Sequence, residues 1–323
     1  MDPSLLRKLS LDNSFDAVAD EWIGQQIKKG QAEATITKKK WLLSFARKGF
    51  GSRPVSEVSP VEVLAVLRGI EARERLESAN RARTTIGAVF RYAIWTSKAK
   101  DDPTVALKGA LLPARPESRA AVTTAPEFGQ LLRAIDGYSG NVPTRIALQL
   151  AVLLHPRPGE LRKAEWEEFD FAHAVWRVPR LRMKMRRVHY VPLARQAVEL
   201  LLRLRDFTGQ EQLLFPGMRS STRPMSENTL NGALRRLGFS KYEQTAHGLR
   251  ASFSSMANGS LLWDKDVVER HLSHEDEDEV RAAYNRSAYW KERTQIAQWW
   301  ADQCDELRAQ PFVPSHPWEL ARD

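Results

Sequence analysis

Between residues 14 and 50 apolar side chains return every three or four positions, and Phe15, Val18, Trp22 and Ile23 share one stripe; from 60 to 100 Ile86, Val89, Phe90 and Ile94 form another. Both stretches predict helices. The glycines, prolines and serines of GFGSRPVSEVSP separate them, and Pro103, Pro113 and Pro116 break the pattern again before residue 124. A small helical domain over 14–110 is therefore expected behind an N-terminal extension of 1–13, with a linker at 111–124. Beyond it, Pro126 to Ile135 reads as a helix, and Thr144 to His155 as a second one so apolar all round that it must be buried. The text then changes: VWRVPRLRMKMRRVHYVPL, within Ala174 to Leu193, sets two β-rich runs around a basic connection and predicts a hairpin. Helical spacing resumes over 194–207, 226–237, 248–258, 263–272, 278–285 and 289–307. The expected fold class is mainly α with a small antiparallel β-sheet, its second domain spanning 125–303 and followed by a tail, 304–323, that becomes extended from Ala309.

Composition narrows the partner. The 323 residues carry 49 Lys and Arg against 40 Asp and Glu, a net charge of +9. Up to residue 123 there are 21 basic and 14 acidic side chains, so most of the excess lies in the front domain. A polyanion is the first partner such a balance suggests. The single cysteine, Cys304, excludes an intramolecular disulfide and a cysteine-based zinc site, and fits a reducing compartment. The apolar run from Ile146 to Leu154 is about half the roughly 20 residues that a membrane span requires. The N-terminus lacks a secretory signal pattern. A cytoplasmic protein without a membrane partner is expected.

Candidate chemistry gathers in the second domain. Phosphodiester cleavage without a metal needs a nucleophile, cations around the non-bridging oxygens and a proton donor for the leaving oxygen. Arg157 in HPRPGELR, Lys184 in RMKMRR, His247 and Arg250 in HGLR, His274 in HLSH and Tyr284 in AAYNR supply these types. The three-residue spacing in HGLR puts His247 and Arg250 on one face at a helix start, where main-chain N–H groups favour a phosphate. Read singly, Arg157 is a surface arginine beside a helix, and Lys184 one cation among the exposed Arg180, Arg182, Arg186 and Arg187. Glu160, three residues after Arg157, reads as an orienting partner for basic groups. His271 and His274 have a metal-compatible spacing, but no further Cys or His lies nearby, so no metal is expected. In the front domain Thr37, Lys38, Lys39, Lys40, Arg81, Arg83 and Arg91 form either an ordinary charged face or a set of phosphate contacts, which Arg186 would extend in the hairpin.

RPGELR, RMKMRRVHYVPL, PMSENTLNGALRRLGF, TAHGLRASFSSMAN and VRAAYNR, in this order, resemble tyrosine recombinases of the phage-integrase family, specifically the satellite-phage and genomic-island subgroup. The resemblance spans nearly the whole chain. It implies Arg157 and Arg250 as phosphate-clamping arginines, Lys184 as general acid toward the leaving 5′ oxygen, His247 and His274 as assisting groups, and Tyr284 as nucleophile, with Tyr289 left to packing. It also implies a SAM-like core-binding role for 14–110, double-stranded DNA attachment sites as substrate, a homotetramer on synapsed DNA, an accessory DNA-bending or excision factor, and no cofactor.

Two departures stand out. The family usually has Thr-Gly-X-Arg before its first arginine, where this chain has His155-Pro156-Arg157. The subgroup usually carries an additional arm-binding domain, whereas this chain starts almost at the core-binding helices, as a shortened or a naturally short member would. The His-Pro-Arg departure lends weight to a rival, a catalytically silent sequence-specific DNA-binding regulator. A type IB topoisomerase-like enzyme is the rival with the same chemistry.

Overall fold

The computed structural model describes residues 13–113, 120–182, 187–273 and 289–310. The chain divides into two compact units, Met1–Glu117 and Ser118–Asp323. The first contains α1 (Phe15–Lys28), α2 (Glu33–Phe50), α3 (Pro60–Glu71) and α4 (Leu76–Trp95). Each predicted helical stretch is thus two helices. Gly30, at φ 72°, turns the chain after α1. Ser59 and Glu62 close a capping box in front of α3, with Pro60 at its first turn. The four apolar stripes meet in one core, where Phe15 lies edge-on to Phe50 at 4.9 Å and tilted against Phe90 at 5.7 Å.

The second unit is built from α5 (Ala125–Asp136), α6 (Val142–Leu154), the single turn α7 (Pro158–Arg162), β1 (Phe169–Asp170), β2 (Val175–Val178), β3 (His189–Pro192), α8 (Arg195–Thr208), β4 (Pro216–Gly217), β5 (Ser220–Pro224), α9 (Thr229–Arg236), α10 (Gly248–Gly259), α11 (Lys265–His271) and α12 (Trp290–Ala309). The helix expected over 278–285 lies outside the described residues. Helix α6 is the axis of the core, with Ile146, Leu148, Leu150, Val152, Leu153 and Leu154 all buried. From α12, Trp300 Nε1 donates to the Val152 carbonyl at 2.9 Å and so pins the last turn of α6. Cys304, one turn further along α12, is a fully buried free thiol whose pKa burial pushes up.

The hairpin forms as the alternation predicts, β2 pairing antiparallel with β3 in the register Trp176↔Val191 and Val178↔His189. The sheet has one strand more than expected, because Phe169–Asp170 pairs with the outer side of β2. A second hairpin, β4–β5, also escapes the pattern: polar SSTRP carries no apolar alternation. The mainly helical class with small antiparallel sheets holds. Among the described residues no helix is long and apolar enough to cross a membrane.

Candidate active site

The site is assembled at the C-terminal end of α6. Pro156 disfavours a right-handed helical conformation for the residue before it, so α6 stops, and His155 takes a left-handed conformation at φ 51° and ψ 34°. For a residue with a Cβ this costs roughly 1–2 kcal/mol. Arg157 then runs extended into α7. Glu160, in the first turn of α7, accepts the Arg157 main-chain N–H and one guanidinium N–H, each at 2.9 Å. A second guanidinium N–H of Arg157 donates to the Ser273 carbonyl at 3.3 Å.

Arg250 approaches from α10. The start of that helix is held by side chains: the Thr245 hydroxyl accepts the Gly248 N–H at 2.9 Å, and Asn231 of α9 accepts the Ala246 N–H at 2.9 Å. Gly248 is required here, since a Cβ would stand 2.0 Å from the Ala120 carbonyl oxygen. The Arg250 guanidinium is buried and donates through Nη1 to the His155 carbonyl at 2.6 Å, while its Nη2 has no acceptor among the described residues. Burial first, then the charge of Arg157, lowers its pKa to about 10, against the opposing pull of Glu160 and Glu269. It is a cation at neutral pH. Two guanidiniums near one carboxylate, Glu160, with one N–H unmet among the described residues, make a site suited to an oxyanion that accepts from both.

Neutral histidines lie behind the arginines. The buried rings of His155 and His271 meet through Nδ1 and Nε2 at 3.3 Å, which requires one ring to donate and the other to accept. Burial, each other's proximity for His155, and neighbouring arginines hold both well below the ordinary value for histidine. The His271 ring therefore packs inside the protein, and among the described residues no metal-compatible cluster exists.

Two neighbours escaped the sequence reading. His189 is held at about 3 by burial and by the charges of Arg293, Arg250 and Arg157. The signal was present in β3, where the two-residue alternation puts His189 on the face of buried Val191. Arg293, in the first turn of α12, is itself lowered to about 10, chiefly by burial, and donates to the Tyr190 carbonyl. No pattern in its local sequence marks it.

Of the expected reacting groups, Arg157 and Arg250 are brought together, and His247 sits half-buried at the head of α10, three residues before Arg250. Lys184, Arg186, His274 and Tyr284 lie outside the described residues. The stem of the Lys184 hairpin is described: Arg182 pairs with buried Glu168 and donates to the Lys163 carbonyl, and Glu168 also accepts Trp176 Nε1 at 2.9 Å. Burial raises the Glu168 pKa, and these donors work against it.

In the front unit Thr37, Lys38 and Lys40 are exposed on α2. Lys39 is occupied within the fold, donating to Gln26 at 3.0 Å and Gln31 at 2.8 Å and lying 4.7 Å over the Trp22 ring. Arg91 pairs with Asp102 at 2.9 Å, Arg81 with Glu77, and Arg83 reaches the Thr104 carbonyl at 3.5 Å. These partners are the main argument for a structural share in those residues' work.

Residues 15–110 match the phage integrase central domain and residues 121–291 the phage integrase family. The integrase of Enterobacteria phage P4 is 35% identical, over 95% of this chain and 74% of that protein. Prophage integrase IntS of Escherichia coli K12 is 30% identical, over 95% and 79%. Among solved structures, a lambda integrase tetramer bound to a Holliday junction superposes with a TM-score of 0.66 at 21% identity, covering 86% of this chain and 83% of that one.

Proposed function

This chain belongs to the phage integrase family, and from that membership we propose the chemistry and assembly of a site-specific tyrosine recombinase that breaks and rejoins DNA to integrate or excise a prophage or genomic island. Its substrate is a double-stranded attachment site. Arg157 and Arg250 receive the two non-bridging oxygens of the scissile phosphate. The Tyr284 oxygen attacks phosphorus, a P–O(Tyr) bond forms and the P–O5′ bond breaks. Lys184 gives a proton to the departing 5′ oxygen, and His247 and His274 assist as proton carrier and phosphate ligand. The products are a 3′-phosphotyrosine and a free 5′ hydroxyl. Because one phosphoester replaces another, bond energy is kept in the adduct, and religation requires no ATP.

The observation that carries this reading is the N–H of buried Arg250, beside Arg157, that meets no acceptor among the described residues. A buried cation with a donor to spare is costly unless an acceptor arrives, and a phosphate supplies both charge and acceptor. Lys38, Lys40 and Thr37 contact the backbone elsewhere on the duplex, and four protomers join two duplexes through a Holliday junction, with an accessory bending or excision factor setting direction. The protein works in the bacterial cytoplasm.

The test uses suicide duplexes, nicked near the scissile bond and drawn from candidate attachment sequences, run on denaturing gels with wild type and Tyr284→Phe. The expected result is a shifted protein–DNA band in wild type alone. Tight DNA binding with no adduct from wild type refutes the catalytic reading and favours a silent regulator.

A further inference from the structure

Both proposed clamp arginines are held by main-chain carbonyls, and both carbonyls belong to residues in the left-handed conformation. His155, at φ 51°, holds Arg250, and Ser273, at φ 53°, holds Arg157. The two turns are distant in sequence. They are tied together by the hydrogen bond between the His155 and His271 rings, with Ser273 only two residues beyond His271. Left-handed backbone is where glycine sits without strain, so a histidine there must be fixed by its side chain.

The side chain is fixed on three helices. Its ring stacks on Phe253 of α10 at 3.6 Å and 21°, meets His271 of α11, and stands edge-on to Trp300 of α12 at 5.7 Å. Trp300 in turn grips the Val152 carbonyl, three residues before His155. We infer that His155 is a positioning residue, whose buried ring locks the turn that aims one carbonyl at Arg250 and, through His271, steadies the second turn that aims another at Arg157. The ring does not touch the reacting phosphate. It converts two flexible turns into one block, so that the guanidiniums stand ready before DNA arrives. Preorganised donors of this kind need no rearrangement as charge develops.

The inference rests on the reading that Arg157 and Arg250 clamp the scissile phosphate, and its test separates the two. Full-length His155→Gly keeps a left-handed turn at no steric cost and removes only the ring; His155→Asn keeps a polar group in a residue tolerant of that conformation. Each is compared with wild type at saturating suicide DNA, in single-turnover adduct formation, together with DNA affinity and thermal melting. The substrates carry either a normal scissile phosphodiester or a methylphosphonate, in which a methyl group replaces one non-bridging oxygen and removes the charge that the arginines must meet.

For His155→Gly the adduct rate on phosphodiester is expected to fall about 10- to 100-fold, the effect of a small misplacement of catalytic groups, with DNA affinity nearly unchanged. On methylphosphonate the loss should shrink to about twofold, because the displaced guanidiniums matter less there. His155→Asn should recover part of the phosphodiester rate. A His155→Gly rate equal to wild type on phosphodiester overturns the inference, since a glycine then serves the turn as well. Equal losses on both substrates, tracking a lowered melting temperature, also overturn it, because they report a general loss of fold. Absence of any wild-type adduct is seen before variants are compared, and it refutes the recombinase reading and this inference with it.

Discussion

Glu160→Gln is the sharpest perturbation of the proposed clamp. The carboxylate is 7% exposed and takes two 2.9 Å hydrogen bonds from Arg157, one from the main chain and one from the guanidinium. A glutamine fits the same space, but its amide offers one acceptor oxygen and turns a donor toward a donor. One charge-assisted bond is lost, worth about 1.5–3 kcal/mol. Complete rupture of a buried pair costs about 3–5 kcal/mol, but Arg157 is partly exposed and solvent takes up some of the loss, so about 2 kcal/mol is expected. In a unit of this size that is a fall of about 4–8 °C in melting temperature. Arg250 also loses a carboxylate that favours its charged form, so its pKa moves further down from about 10. Adduct formation should drop about 10- to 100-fold, as for loss of one preorganised donor or less. DNA binding at low salt should hold or tighten, because one negative charge has left the site. The assays are thermal and chemical unfolding by tryptophan fluorescence, single-turnover cleavage, and a salt titration of DNA binding. Unfolding within about 0.5 kcal/mol of wild type, the range of an ordinary surface substitution, together with an unchanged cleavage rate, would refute the argument that Glu160 carries Arg157.

Three further outcomes are expected. His155, His189 and His271 all have folded pKa values below 6.5, that of His189 about 3, so the unfolded chain takes up their protons first. Their contribution to stability is whole above pH 6.5 and is lost as pH falls below it, by up to about 1.4 kcal/mol per pH unit for each histidine; urea midpoints that stay flat between pH 7.5 and 5.5 would contradict this. In the front unit, Lys38→Ala and Lys40→Ala should each lower the log–log salt slope of DNA binding by about 0.9, whereas Arg91→Ala, already committed to Asp102, should leave the slope and weaken the fold. Equal slopes for all three variants would deny the distinction. Arg182→Met strands buried Glu168 and should cost about 3 kcal/mol, while the double change with Glu168→Gln, which still accepts from Trp176, should recover about half of it; no recovery in chemical denaturation would show that the pair is not the cause.

What the sequence disclosed followed from periodicity. Helix α6 was legible because an apolar run without a polar face has only one place to go, and the β2–β3 hairpin because alternation and β-branched residues agree there. Strand β1 was hidden because two residues carry no period, and β4–β5 because its pairing is made by backbone alone over polar side chains. Within the site, Arg157, His247 and Arg250 stood out through motif and resemblance. Glu160 was legible too, as an orienting partner three residues after Arg157; the carbonyl acceptors were not, since a carbonyl carries no sequence signature and Ser273 and His155 are brought near the arginines only by tertiary packing. The fold gives the His271 ring to His155, a contact that no spacing in the sequence announces. Arg293 arrives from α12 across the chain, a neighbourhood that no local window contains.

The buried thiol on α12 has a practical consequence. Cys304 is the chain's one cysteine, and with its ionisation suppressed by burial it presents almost no thiolate to a maleimide or an oxidant. The native protein therefore offers a silent background for conjugation chemistry. A cysteine introduced at an exposed position such as Met218 or Tyr242 would take a fluorophore or cross-linker alone, without first removing a native cysteine. Pairs of differently labelled protomers would then report synapsis by energy transfer in real time, in a molecule whose catalytic machinery had not been altered to make it visible.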